Sequence, residues 1–184
     1  PSAGNGLLAV WGHAAKGKLI LNEIDAKRRQ HLKALFPQAP LTNYDGEQID
    51  DYLHPKHKPT LVIMNPPFSR SLNMANKVNR MATGKHVKSA LWRLQPGGRL
   101  VTISADSFSP HDSFWQQYFL KLRKIGHVVF SAGIEGQAYA KHGTNFPTRL
   151  TVIERAGKEN KSEIIDAQLS LKDLLHYIQL YVPQ

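Results

Sequence analysis

Short β-branched runs alternate along this chain with longer amphipathic stretches, and that alternation limits the folds open to it more than any other feature. Strands separated by helices pair side by side when each helix carries the chain back over a sheet face, which makes βα units and a mostly parallel sheet. The β-branched runs lie at 18–22, 41–44, 60–64, 98–104, 127–131 and 149–154. Between them, Asp25 reads as the N-cap of a helix reaching Phe36, closed by Pro37. Residues 74–94 hold apolar side chains at helical spacing until Pro96-Gly97-Gly98 stops them, and 113–124 form another amphipathic helix. No helix fits between the last two runs, so the last strand is expected antiparallel to its neighbour. The fold class is therefore α/β, a mostly parallel twisted sheet with helices on both faces.

A chain of 184 residues buries one ordinary core. Residues 1–155 are read as one domain, and 156–184 as a linker and C-terminal amphipathic helix. Residues 156–162 are polar, while Leu171, Leu174, Leu175, Ile178 and Tyr181 give 169–182 an apolar stripe suited to a sheet face or a partner. With no cysteine, the chain cannot form a disulfide, a zinc–cysteine site or a thiolate nucleophile. The apolar runs are only a strand long, and no charged leader followed by an apolar stretch opens the sequence. A cytoplasmic protein without a membrane partner is the expectation.

Charge is lopsided at +10, which favours a polyanion. From Tyr52 to Ala105 there is no acid, while Lys56, Lys58, Arg70, Lys77, Arg80, Lys85, Lys88, Arg93 and Arg99 supply nine positive charges. A scattered excess of that kind is ordinarily a solvated face. This one brackets the strongest motif in the chain and is read as the footprint of a phosphate backbone.

Pro1-Ser2-Ala3-Gly4-Asn5-Gly6 precedes a helical run at 7–15. Glycines there let backbone approach a ligand, and the amides at a helix start favour an anionic group. A phosphate-binding P-loop is excluded, since no Lys-Ser or Lys-Thr follows at the required spacing. The run 19–25 is an apolar strand ending in Asn22-Glu23-Ile24-Asp25, and in a doubly wound sheet a carboxylate at that strand end can accept from both hydroxyls of a ribose. Glu23 suits that place, and Asp25 is left as a helix cap. Asp45, after the third run, can accept from an adenine amino group.

Asn65-Pro66-Pro67-Phe68 directly follows the run 61–64. The exocyclic amine of a base is a poor nucleophile because its lone pair is delocalised into the ring. An Asn65 side-chain oxygen and a Pro66 carbonyl, each accepting one N–H, would pull that nitrogen toward tetrahedral geometry, with the prolines holding the carbonyl in place. Phe68 would stack on the base. No metal or covalent intermediate is required.

Taken in order, the Gly4/Gly6 loop, the strand ending Glu23-Ile24-Asp25, Asp45 and Asn65-Pro66-Pro67-Phe68 resemble the class I S-adenosylmethionine-dependent methyltransferases, specifically the N6-adenine group, over roughly 1–155. The run Leu91–Val101, with Pro96-Gly97-Gly98 at its centre, is similar to a helix, turn and fifth strand of that Rossmann-like fold. Tyr139-Ala140-Lys141-His142-Gly143-Thr144 resembles, more loosely, the methyltransferase modules of phage and plasmid methylase-helicase proteins. The resemblance implies S-adenosylmethionine as cofactor, with Ser2, Ala3, Gly4 and Gly6 at its methionine moiety, Glu23 on the ribose, Ile24 against the adenine and Asp45 on the adenine amino group. It makes Asn65, Pro66, Pro67 and Phe68 the catalytic set, with Asn65 bordering the cofactor as well. Phe68, Arg70, Tyr139, Lys141 and His142 then meet the nucleic acid. Tyr139, His142 or Phe146 supplies a second aromatic wall, and the sequence does not choose among them.

The expected activity is methyl transfer to N6 of adenine in DNA, with the base flipped out of the duplex. RNA, a protein glutamine, or a non-catalytic nucleic-acid-binding module of the same fold are the alternatives. The resemblance also implies a buried strand ending in an acid just before Pro1, lying between the runs at 18–22 and 60–64. Direct pairing of those two strands would contradict the topology. The chain is accordingly expected to belong to a longer polypeptide with further domains. Three signals are set aside: His54 and His57 lack a third metal ligand nearby, Ser107 and Ser109 before His111 make no nucleophile elbow, and Trp92, Trp115 and Tyr118 are read as helix core.

Overall fold

The computed structural model describes residues 1–67, 81–142, 145–156 and 161–183, without the side chains of 139, 141 and 142. Helix α1 (Leu7–Ala14) leads to strand β1 (Leu21–Asn22), α2 (Ala26–Leu35), β2 (Leu41–Thr42) and, through a 3-10 turn at Gly46–Gln48, the short α3 (Ile49–Tyr52). Then come β3 (Leu61–Met64), α4 (Ala82–Arg93), β4 (Arg99–Ala105), α5 (Gln116–Leu122) and β5 (Gly126–Ile134). A 3-10 stretch (Gly136–His142) precedes β6 (Thr148–Arg155), β7 (Glu163–Leu169) and α6 (Leu171–Tyr181). Asp25 caps α2 as expected, its carboxylate accepting from the Arg28 N–H at 2.8 Å.

The strands form two sheets, β1–β2 and β3–β4–β6–β5–β7. β1 pairs with β2, β3 with β4 and β5 with β7 in parallel, while β6 runs antiparallel to both β4 and β5. The antiparallel strand foreseen at 149–154 is therefore inserted between β4 and β5. β1 and β3 are not hydrogen-bonded to one another among the described residues, so the contradiction set for the topology does not arise.

One face of the larger sheet buries Val62, Met64, Leu100 and Ile153 against Val87, Ala90, Leu91 and Leu94 of α4 and Trp115, Phe119 and Leu122 around α5. The other face packs Val129, Phe130, Ala132 and Val152 under Leu174 of α6. Alternation sets this division: Val62 and Met64 are buried while Leu61 and Ile63 point to the opposite, more open face.

Two features depart from the sequence reading. β7 lies inside the segment read as linker and helix, adding a strand beyond β5. Trp92 is 43% exposed rather than core, because Val87, Ala90, Leu91 and Leu94 occupy the sheet-facing side of α4 and leave it outside. Trp115 is buried, and the partly buried Tyr118 packs against the same core, its hydroxyl donating to the Gly84 carbonyl at 2.7 Å.

Candidate active site

Parallel strands of a doubly wound sheet present their loops at their carboxyl ends, where ligands bind. The glycine loop joins β1 there. The Ala3 N–H donates to the Asn22 carbonyl at 2.8 Å, and the Gly4 N–H donates to Glu23 Oε2 at 2.7 Å. Ser2, Gly4 and Gly6 all have positive φ (53°, 58° and 85°). At Gly6 a Cβ would come within 2.9 Å of Leu32 Cδ2, so packing on α2 requires glycine. At Gly4 a Cβ would meet nothing within 4 Å, so the backbone there borders open space, as a ligand cradle requires.

Glu23 is 3% exposed, and its second oxygen accepts from the Asp25 N–H at 3.0 Å. Its carboxylate thus ties the loop to the strand end with both oxygens. Beside it Ile24 is 66% exposed. Asn22, also buried, accepts from the Tyr44 N–H and the Thr42 hydroxyl at 2.8 Å each and donates to the Tyr44 carbonyl at 2.9 Å. That amide fixes the end of β2 and so sets where Asp45 stands. Asp45 is exposed and accepts from the Glu47 N–H at 2.9 Å.

The first turn of α4 links the two halves of the site. Thr83 donates to the Pro67 carbonyl at 2.9 Å, tying the Asn65-Pro66-Pro67 segment to α4 as it leaves β3. One turn on, His86 packs behind Gly46, where a Cβ would lie 2.5 Å from Nδ1, and the Ser2 hydroxyl would be 3.3 Å from that same Cβ. Burial lowers the His86 pKa, against the attraction of Glu47 and Asp45. Asn65 and Pro67 are exposed, and Pro66 is buried. Ser2, Gly4, Glu23, Asp45 and Asn65 are thereby held at one end of the fold around α4.

Phe68 and Arg70 lie outside the described residues, as do Gly143 and Thr144, and the side chains of Tyr139, Lys141 and His142 are likewise outside. The backbone of their connection runs from the end of β5 to the start of β6, where Ala105 of β4 pairs with Thr148. It therefore leaves the sheet at the carboxyl end of β4, and hence of its parallel neighbour β3. Phe146 is 42% exposed there.

At that sheet end, Arg149 is a buried cation held by the Asp106 carbonyl at 2.9 Å, the Ser131 hydroxyl at 3.3 Å and the Ile165 carbonyl at 3.1 Å. Desolvation lowers its pKa, and Asp106, 3.4 Å from the guanidinium, opposes that shift. Asn22, Thr83, His86 and Arg149 were not read as site residues from the sequence. Only Asn22 carried a signal, as an amide inside an apolar run. Among the described residues no group of three or more metal-ligating side chains comes together, and no helix is long and apolar enough to cross a membrane.

No family model and no curated protein matches the chain. Solved structures do, and they give the sheet its class: the fold is that of the Rossmann-like class I methyltransferases. A Listeria monocytogenes protein provisionally described as such an S-adenosylmethionine-dependent enzyme aligns over 97% of this chain and 61% of its own, at 15% identity and a TM-score of 0.69. The type I restriction-modification methyltransferase subunit of Streptococcus thermophilus aligns over 97% and 46%, at 12% identity and TM-score 0.67. An rRNA methylase of Streptococcus thermophilus aligns over 84% and 83%, at 16% identity and TM-score 0.53. The chain spans less than two thirds of the first two.

Proposed function

We propose that this chain is the methyl-transfer domain of an S-adenosylmethionine-dependent methyltransferase acting on N6 of adenine in DNA. The observation that carries the reading is the Asn65-Pro66-Pro67 segment at the end of β3, held by Thr83 and joined through one helix to the glycine and acid cradle. When bound, S-adenosylmethionine supplies an electrophilic methyl on a sulfonium sulfur. The fit is favourable: Gly4 backbone borders open space, Ile24 offers an exposed apolar surface for an adenine ring, and Asp45 offers an exposed carboxylate for its amino group. Glu23 keeps lone pairs on both oxygens while holding the loop, and at 3% exposure ribose hydroxyls would reach them only by displacing the groups that now cover it.

On the target side, the Asn65 amide oxygen and the Pro66 carbonyl accept the two N–H bonds of the target amine. These two acceptors would leave the nitrogen lone pair free to react. The chemistry a bound S-adenosylmethionine would supply is a methyl released as its S–C bond breaks with the electron pair staying on sulfur, while the amine proton would leave to solvent. Thr83 occupies the Pro67 carbonyl, so the turn cannot rotate without breaking that bond. The work is positioning of the reactants more than acid–base chemistry. DNA fits the acid-free cationic region around this turn and the likeness to type I modification subunits. The likeness to rRNA methylases favours RNA as the second reading.

Transfer of tritiated methyl groups to separate DNA, RNA and protein pools tests this, with acid digestion of the DNA to identify the modified base. Label in N6-methyladenine, absent with Asn65→Ala, is the expected result. Label in RNA or protein alone would overturn the DNA assignment. Lack of transfer together with lack of cofactor binding would overturn the enzyme.

A further inference from the structure

A groove of about 530 Å³ runs between α4 and the end of α5. Its floor is apolar, made by Trp92, Leu122, Ile125 and the ring of Tyr118, and its walls carry Lys85, Lys88, Lys121 and Lys124. Among the described residues no acidic side chain lines it. Lys85 reaches Glu47 at 3.0 Å, and Arg155 stacks 5.5 Å from the Trp92 ring centroid, so one indole face is covered while the residue stays 43% exposed. The lysines stand at i and i+3 on each wall, with the apolar residues between and beneath them.

We infer that this groove docks an acidic amphipathic helix of a partner protein, its apolar face on Trp92, Leu122 and Ile125 and its carboxylates on Lys88, Lys121 and Lys124. Two facing helices with an apolar floor take a third helix by the ordinary groove mode of recognition. Charge selects among occupants. A second copy of this chain carries net +10 and is repelled. A nucleic-acid backbone would match the lysines, but the open face of Trp92 is the main surface left for a base to stack on, and Leu122 and Ile125 gain nothing from phosphates.

The test uses the chain with a fluorescein-labelled amphipathic 18-residue peptide having leucine on one face and glutamate on the other, read by anisotropy and tryptophan emission. Saturable binding is expected, weakened at least tenfold by Lys88→Glu/Lys121→Glu and by Trp92→Ala, and weakened as salt rises. Lys88→Gln/Lys121→Gln, a milder change, should weaken it by a smaller factor, with unchanged circular dichroism melts showing that each variant folds. A peptide with lysine in place of glutamate should not bind. Equal binding of both peptides, no binding of the acidic one, or indifference to the variants would overturn the proposal. So would a 20-nucleotide oligo-dT that displaces the acidic peptide and shows the same variant dependence, since the groove would then belong to nucleic acid. No methyl transfer enters the readout, so the outcome is independent of the proposed activity.

Discussion

The β3–β4–β6–β5–β7 sheet and the β1–β2 pair hold opposite halves of the candidate site by different means. The larger sheet has two packed faces and a seven-residue β4–β6 ladder from Arg99↔Glu154 to Ala105↔Thr148. The β1–β2 pair has only two register pairs and a small core of Leu21, Leu32 and Phe36. There the loops are fixed by buried side chains bonded to backbone: Glu23 to Gly4 and Asp25, and Asn22 to Tyr44. One half is stabilised by apolar area, the other by individually placed hydrogen bonds. The first should tolerate polar edits and fail by cavities; the second should do the reverse.

The largest effect should come from the packed half. Leu100, fully buried between β3 and β6, should lose about 2–5 kcal/mol of global stability as Leu100→Ala in urea unfolding. A loss as small as that of Leu21→Ala in the sparser core would erase the contrast. Next, Asn65→Ala should cut methyl transfer by about 10²–10³ while leaving cofactor affinity nearly unchanged, because its acceptor is needed only as the amine pyramidalises. Equal loss of both would move Asn65 to the cofactor side. Glu23→Ala should weaken cofactor binding by about 1.5–3 kcal/mol, measured calorimetrically, and raise amide exchange at Gly4, since one carboxylate serves both ligand and loop. Faster exchange with unchanged affinity would leave it purely structural.

Thr83→Val should cost about 1 kcal/mol in the barrier for transfer, seen in kcat with KM for cofactor unchanged. The smallest effect concerns acid. The folded His86 pKa lies below its ordinary 6.5, so the stability of its buried neutral form is complete above 6.5 and lost as pH falls through the lower folded value. The melting-temperature gap between wild type and His86→Gln should therefore narrow from pH 8 to pH 5. A constant gap would remove His86 from the acid response.

Strand positions followed from β-branched runs, and Asp25 announced its own cap, because both signals are local. β7 did not stand out because Asp166, Ala167 and Gln168 break its alternation, and its place depends on the open edge of β5. The site divides the same way. Asn65 to Pro67 was legible as an amine-binding motif directly after a strand, but Thr83 meets it from 16 residues away, and nothing near Thr83 signals that bond. Glu23 was visible as a carboxylate at a strand end. That both its oxygens already hold amides depends on the fold.

The position of β6 has a consequence for how the protein is made. β5 pairs only with β6 and β7 among the described strands, and both are synthesised after it. One edge of β4 pairs with the earlier β3, but the other waits for a partner that begins at Thr148, and the Arg99–Glu154 ion pair closes across 55 residues of chain. During translation, β4 therefore keeps one bare edge until β6 is made, and β5 keeps one until β7 is made. Such late, non-local closure slows folding and exposes strands that can pair between neighbouring nascent chains. Truncations ending before β6 should accumulate in inclusion bodies, whereas the chain extended through β7 should not.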